Sequence, residues 1–164
     1  MTSVISNIAT ELVTQLNSAF AGKAITAVLQ FSSAPRPVPL TQTRLAVGLQ
    51  DAQVLPCALS DFAGLDENGN SICCRTMEIT AAIKICCPPK KETAECQRVF
   101  GMICDNLLFT KSKYDVMRIW CGHVQFEKDL GALVLPCYAK LRLTVNHHSQ
   151  EQSISDFKIR RVNK

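Results

Sequence analysis

Glycine and long apolar runs are scarce in this sequence, and each scarcity excludes a class of protein. Only 7 of the 164 residues are glycine, and no G-x-G-x-x-G or P-loop sequence occurs, so a nucleotide-binding loop is not indicated. No stretch approaches the ~20 apolar residues that cross a bilayer, which predicts no membrane partner. Residues 1–20 have no basic start and no unbroken apolar run, so we expect no secretory signal and a chain that stays in the cytoplasm.

The charge balance also gives no indication of a polyanion such as nucleic acid as a partner. There are 18 basic and 14 acidic residues, and the resulting net charge of +4 is too small to indicate nucleic acid as the partner. The basic residues at the C-terminal end are Lys158, Arg160, Arg161 and Lys164. Aromatic residues do not interleave with them as in a platform that stacks single strands, so we favour a solvated tail or strand edge over a DNA contact.

Cysteine is abundant, with nine residues, but its pattern indicates neither disulfides nor a metal site. The count is odd, no export signal accompanies it, and no C-x-x-C pair occurs. The adjacent pairs Cys73–Cys74 and Cys86–Cys87 point to opposite faces if they lie on strands, so neither pair easily holds one ion. We therefore expect reduced cysteines that serve as small apolar residues, with no metal and no cofactor.

The sequence offers one weak candidate for catalysis. Cys121 and His123 are two residues apart and would share a face of a strand, an arrangement that brings a thiol nucleophile near the base that a cysteine hydrolase requires. Nothing around them resembles a nucleophile elbow, so we favour a structural pair and predict no catalytic residue. Asp61, Asp66 and Glu67 crowd an Asn-Gly turn, but they lack the spacing of a calcium loop.

Hydrophobic periodicity predicts alternating helices and strands. Apolar residues at three- and four-residue steps indicate helices, and two-residue alternation indicates strands. The predicted elements are a helix over 3–21, strands over 24–31, 43–50 and 74–87, a helix over 92–109, a hairpin with arms 116–127 and 132–146, and a short strand over 154–162. A proline-bearing loop over 32–42 and a turn-rich segment over 61–71 separate the early strands, and Pro136 predicts a bend or an edge in the last hairpin arm.

This order predicts an α+β fold built as one domain over residues 1–164. We expect a single mixed, mostly antiparallel sheet of about five or six strands, with two amphipathic helices packed on one face. The alternation over 74–87 supports this arrangement, because one side of that strand is apolar and the other is wetter.

The layout resembles the tail terminator, or tail-completion, proteins of tailed bacteriophages and phage-tail-like particles. The resemblance covers nearly the whole chain and rests on the order of elements more than on any diagnostic motif. The strings that carry it are LAVGL (45–49), LSDFAGLD (59–66), EITAAIK (78–84), VFGMICDNLL (99–108), the hairpin 121–137 and DFKIRR (156–161). The nine cysteines depart from what the family leads one to expect.

The resemblance implies a structural role without catalysis. Such proteins form a ring, typically a hexamer, on the head-proximal end of the tail tube, where the ring ends tube growth and offers a docking face to the neck. The implied partners are further copies of the chain, the tube protein, the sheath protein in a contractile tail, and a neck or connector protein, with DNA passage through the lumen compatible with this arrangement. The implied location is a virion or phage-tail-like particle assembled in the bacterial cytoplasm.

Exposure arguments suggest which residues would make such contacts. The candidates lie on the proline loop, the Asn-Gly turn, the hairpin tip and the basic end of the chain: Arg36, Asn68, Lys128, Arg160 and Arg161. Two alternatives stay open at this point, namely another neck, head–tail connector or baseplate component of the same machine, and a cysteine-dependent enzyme or metal-binding module.

Overall fold

The computed structural model describes residues 2–30, 40–56, 61–110 and 114–148. Within these ranges the elements are α1 (Thr2–Ala19), β1 (Ile25–Leu29), β2 (Thr43–Pro56), β3 (Phe62–Leu65), β4 (Ser71–Cys87), α2 (Glu92–Phe109), β5 (Asp115–Cys121), β6 (Gln125–Glu127) and β7 (Ala132–His148). The α+β fold is therefore confirmed, with seven strands where the sequence predicted five or six. Neither helix in these ranges is long and apolar enough to cross a membrane.

The first helix owes its position to one apolar stripe. Ile8, Leu12 and Leu16 are buried on it at four-residue steps, and Phe20, directly after the helix end at Ala19, continues this spacing and is also buried. Such a stripe faces a core once per turn. The helix ends just before Gly22, whose φ of +77° is a left-handed conformation that glycine adopts without strain.

The second helix begins where proline chemistry allows it. Pro89 starts a short 3-10 turn, a position where its missing N–H costs nothing, and α2 follows directly at Glu92. Its inward stripe consists of Cys96, Val99, Ile103 and Leu107. Leu108 is exposed because it lies about 100° further around the helix axis than Leu107.

The two helices contact each other through polar side chains. Gln15 Nε2 donates a hydrogen bond to Asn106 Oδ1 at 3.1 Å, which joins α1 to α2.

Tyr114, just before β5, donates through its hydroxyl to the Glu11 carboxylate. Burial, and then this neighbouring carboxylate, raise the pKa of the Tyr114 phenol, so it remains a donor at any physiological pH.

The central sheet has the strand order β1-β2-β4-β7-β5, with β3 paired to β4 and β6 paired to β7. The β1–β2 pair is parallel, whereas the β3–β4, β5–β7 and β6–β7 pairs are antiparallel. Thr43 at the start of β2 contacts Cys87 at the end of β4, with 3.8 Å between Oγ1 and Sγ, so these strands also run antiparallel. The sheet is mixed and mostly antiparallel, as predicted.

One face of this sheet forms the main core. Along β4 the buried residues are Met77, Ile79, Ala81, Ile83 and Ile85. Their neighbours on the other face, Glu78, Thr80 and Ala82, are only half-buried, and Lys84 is exposed. This two-residue alternation is what a sheet shows when helices cover one side only.

A second, smaller apolar cluster includes residues of β4 and β7. It consists of Leu40, Cys86, Ala132 and Val134, with Leu130 packed against it. Along β7 the buried positions change from even to odd numbers after Val134, next to Pro136. The proline thus coincides with a switch of the buried face.

Pro136 does not lie at an edge, so that part of the prediction is wrong. β7 has β4 on one side and β5 with β6 on the other. The proline lies opposite Gly122, whose N–H donates to the Pro136 carbonyl at 2.8 Å, and proline has no N–H to return. The hairpin arm predicted over 116–127 is accordingly divided into β5 and β6, which is one reason for the higher strand count.

Three further sequence expectations differ from the structure or lie outside it. The last hairpin arm was predicted over 132–146, but the backbone of β7 continues through His147 and His148. The predicted turn segment over 61–71 contains strand β3. The short strand predicted over 154–162 lies outside the described residues.

The chain divides into two compact units. The first contains residues 1–53 and 77–143, and the second contains residues 54–76 and 144–164. The first unit holds both helices and the main core. Among the described side chains of the second unit, Cys74 alone is buried. The described part of that unit therefore has very little core of its own.

Candidate assembly surface

The five residues predicted as contacts are distributed unevenly over the described structure. Arg36, Arg160 and Arg161 lie outside the described residues. Asn68 lies in the second unit and Lys128 in the first, and both are exposed. These five positions stay predictions.

Asn68 is part of a tight turn organised by Asp66. The Asp66 carboxylate accepts hydrogen bonds from the N–H groups of Asn68 and Asn70, each at 2.8 Å, and from Asn70 Nδ2 at 2.9 Å. Gly69 has a φ of +81°, which explains the Asn-Gly pair in the sequence. The turn that joins β3 to β4 is therefore held by local polar contacts and leaves Asn68 exposed.

The residues around this turn form the region of interest, and we call residues 54–56 and 61–76 the β3 region. Its apolar side chains Val54, Phe62 and Leu65 are 41%, 52% and 61% exposed. These are large apolar side chains exposed in a region with almost no core, which makes them candidates for a surface that a partner covers. The sequence predicted only turn chemistry over 61–71, so Phe62 and Leu65 were not expected as exposed apolar side chains.

The start of β3 has an unusual backbone. Asp61 adopts a φ of 57°, which is uncommon for a residue with a side chain. Its carboxylate forms an ion pair with Arg75 through Oδ2, whereas Oδ1 is buried and has no hydrogen-bond partner among the described residues. The ion pair connects the entry of β3 to β4 within the same unit.

The two outer strands of the main sheet differ in how accessible their edges are. On β1, the Ala27 N–H donates to Asn17 Oδ1 at 2.8 Å, and the Ala27 carbonyl accepts from Asn17 Nδ2 at 2.9 Å. A side chain thus occupies the groups that a further strand would use. The other edge strand, β5, is ladder-paired only with β7 among the described residues and includes the exposed Met117.

The hairpin tip before β7 is compact. Lys128–Leu130 form a single 3-10 turn, and Gly131 follows with a φ of 53° and donates its N–H to the Lys128 carbonyl at 3.1 Å. Lys128 points into solvent at this tip. The exposure expected for this residue is therefore observed.

The face of the sheet opposite the helices carries a charged cluster. Glu78 on β4 lies 2.6 Å from Lys140 Nζ and 2.8 Å from an Arg142 nitrogen on β7. Hydrogen bonds from Lys140 first, and then from Arg142, lower the pKa of the Glu78 carboxyl below its ordinary value of 4.5. The carboxylate is therefore the stable form in the folded protein.

We expect Glu78→Gln to flatten the acid limb of the stability curve. The folded-state pKa of Glu78 is below the unfolded one, so its contribution is complete above the unfolded value and is lost as the pH falls through the folded value. Urea unfolding from neutral pH down through 4.5 should show a smaller loss for the variant than for the wild type. Curves that stay parallel would contradict this assignment.

The same face carries two stacked aromatic rings, one of which also contacts an arginine side chain. The ring centroids of Trp120 and Tyr138 are 5.4 Å apart, and the Arg118 guanidinium lies 5.2 Å from the centroid of the Trp120 ring. The Trp120 ring therefore contacts both the Arg118 guanidinium and the Tyr138 ring. This arrangement stiffens the β5–β7 pair and does not present a free ring for stacking a base.

The structure does not bring Cys121 and His123 into the strand geometry that the sequence suggested. β5 ends at Cys121, and residues 122–124 lie between β5 and β6. His123 instead shares a hydrogen bond of 2.9 Å with Gln125, between Nε2 of the ring and Nε2 of the amide. Among the described residues, no group of three or more His, Cys, Asp or Glu side chains is arranged to hold a metal ion.

Comparison with known proteins adds no family. No protein-family model matches the sequence, and no curated protein matches it either. Any functional conclusion therefore depends on the layout of the sequence and on the fold and surfaces described above.

Proposed function

We propose that this chain is a structural protein that forms a closed ring on the head-proximal end of a phage or phage-like tail tube. The ring would end polymerisation of the tube, and of the sheath in a contractile tail, and would provide the docking face for the neck. The basis of the proposal is the resemblance in layout together with the surfaces of the fold.

The observation that supports assembly most directly is the exposure of large apolar side chains in the β3 region. Val54, Phe62 and Leu65 are exposed in a unit whose single buried described side chain is Cys74. Covering each of these side chains would contribute roughly 1–2 kcal/mol, because about 25 cal/mol is gained per Å² of apolar surface removed from water. A neighbouring subunit is the partner that a ring supplies at every position.

Ring closure requires two different surfaces on each subunit. A head-to-tail contact generates a ring when its rotation closes, so the β3 region would contact a separate surface on the next copy. The β5 edge fits that description, since the β1 edge is occupied at Ala27 by Asn17.

Native mass spectrometry and negative-stain imaging of the purified full chain test the proposal. We expect a six-fold ring, and after mixing with tube filaments we expect labelled protein at one end of each filament. A stable monomer would contradict the ring. A twelve-fold ring would favour a head–tail connector, and turnover of a small substrate would favour the enzyme alternative.

A further inference from the structure

Cys121 and Cys137 face each other across two neighbouring strands. Their Cα atoms are register partners in the antiparallel β5–β7 ladder. The next hydrogen bond runs from the Gly122 N–H to the Pro136 carbonyl at 2.8 Å, one residue beyond Cys121 and one before Cys137. This pattern makes Cys121 and Cys137 a non-hydrogen-bonded pair, in which Cα atoms approach to about 4.5 Å. Disulfides accept Cα separations of about 4.4–6.8 Å, so the backbone already has the spacing that a disulfide needs.

The two thiols differ sharply in access. Cys121 is exposed, whereas Cys137 is 1% exposed and its thiol donates to the Leu135 carbonyl at 3.6 Å between sulfur and oxygen. Burial, followed by the neighbouring Cys121 and Cys104, raises the pKa of the Cys137 thiol. An external reagent therefore meets the Cys121 sulfur first, and Cys137 reacts only with a sulfur that is already beside it.

A third and a fourth thiol provide internal comparisons. Cys104 on α2 is half-buried, and its pKa is raised by burial and then by Asp105 and Cys121. Cys96 is fully buried beside Cys87, and this burial with the Cys87 contact raises its pKa to about 12. The Cys87–Cys96 pair thus has two adjacent thiols without any solvent access.

We propose that Cys121 and Cys137 are a redox site that forms a reversible disulfide with an oxidised low-molecular-weight thiol such as glutathione disulfide. The Cys121 thiolate attacks one sulfur of glutathione disulfide, which forms a mixed disulfide and releases one glutathione. Cys137 then loses its proton to solvent and attacks the Cys121 sulfur, which forms the Cys121–Cys137 bond and releases the second glutathione. Two protein thiols are oxidised and one glutathione disulfide is reduced to two glutathione molecules.

The disulfide would fix β5 to β7 at the point where the ladder breaks. Cys121 is the last residue of β5, and the strand resumes as β6 only at Gln125. A covalent link at that position prevents this end of the edge strand from separating from β7. In a reducing cytoplasm such a pair stays as two thiols, whereas in oxidising surroundings it forms the disulfide. The inference does not depend on the ring proposed above.

Peptide mapping by mass spectrometry after incubation of the full chain with glutathione disulfide tests this directly. We expect a peptide linked through Cys121 and Cys137, and seven titratable thiols under denaturing conditions where the reduced chain has nine. The buried Cys87 and Cys96 should stay reduced. Dithiothreitol should restore all nine thiols, and amide exchange in β5 should be slower in the oxidised form.

Three variants make the result decisive. Cys121→Ser, at an exposed position, should abolish the link, whereas Cys104→Ser should leave it unchanged. Cys137→Ala should leave a stable mixed disulfide on Cys121, and circular dichroism verifies that this variant is folded. A stable glutathione adduct on Cys121 in the unsubstituted chain, or a link from Cys121 to Cys104 or to a second copy, would overturn the proposal.

Discussion

Leu107→Ala is expected to lower the free energy of unfolding by about 2–5 kcal/mol, the range measured for large-to-small substitutions in cores. Leu107 is 3% exposed and belongs to the inward stripe of α2 with Val99 and Ile103. Truncating it removes apolar contacts and leaves a cavity that packed neighbours fill only in part. Urea unfolding followed by circular dichroism measures the effect.

The adjacent residue provides a matched control. Leu108→Ala is the same substitution in the same helix, but Leu108 is 51% exposed. We expect a change within about 0.5 kcal/mol, as is usual for surface substitutions. Equal losses for the two variants would show that α2 does not pack by the face described here.

Phe62→Ser is expected to prevent ring formation while leaving the subunit folded. Phe62 is 52% exposed and lies in the β3 region, so its removal costs the isolated subunit little. If the ring covers this side chain, its loss should weaken each contact by about 2 kcal/mol, which is roughly a 30-fold change in affinity. Because a ring repeats the contact between every pair of neighbours, the assembled fraction in native mass spectrometry should fall steeply.

The control is another exposed phenylalanine away from this region. Phe109 at the end of α2 is 82% exposed, and Phe109→Ser removes at least as much accessible apolar surface as Phe62→Ser. We expect that variant to assemble like the unsubstituted chain. Assembly retained by Phe62→Ser and lost by Phe109→Ser would move the contact from the β3 region to α2.

Strong periodicity made the helices and the long strands readable from the sequence. The stretch 92–109 was predicted as a helix and is observed as Glu92–Phe109, because apolar spacing and a preceding proline both indicate it. The strand predicted over 74–87 is observed as Ser71–Cys87. In both cases local preference and burial agree, which is the condition under which a pattern specifies one structure.

The shorter strands were not readable because their pairing is decided by distant residues. β3 spans only Phe62–Leu65 and depends on register with Ser71–Cys73 of β4. The division of one hairpin arm into β5 and β6 depends on Pro136, a residue of the opposing strand. Register between strands is set by such cross-strand contacts, and a single sequence states them poorly.

The candidate surfaces were predicted only in part for the same reason. The exposure of Asn68 and Lys128 follows from turn residues and is observed. Phe62 and Leu65 are exposed because no described residue of their unit buries them, and such long-range packing is not encoded in a local pattern. The facing of Cys121 and Cys137 likewise requires the register of the two strands.

The break opposite Pro136 limits how a further strand can pair with this edge of the sheet. An added Cβ on Gly122 would lie 3.1 Å from Pro136 Cγ, so the close approach at this point favours glycine. The outer edge is divided into a seven-residue strand and a three-residue strand. A partner strand that pairs along β5 cannot continue in register into β6, so the backbone ladder that it forms ends with the seven residues of β5.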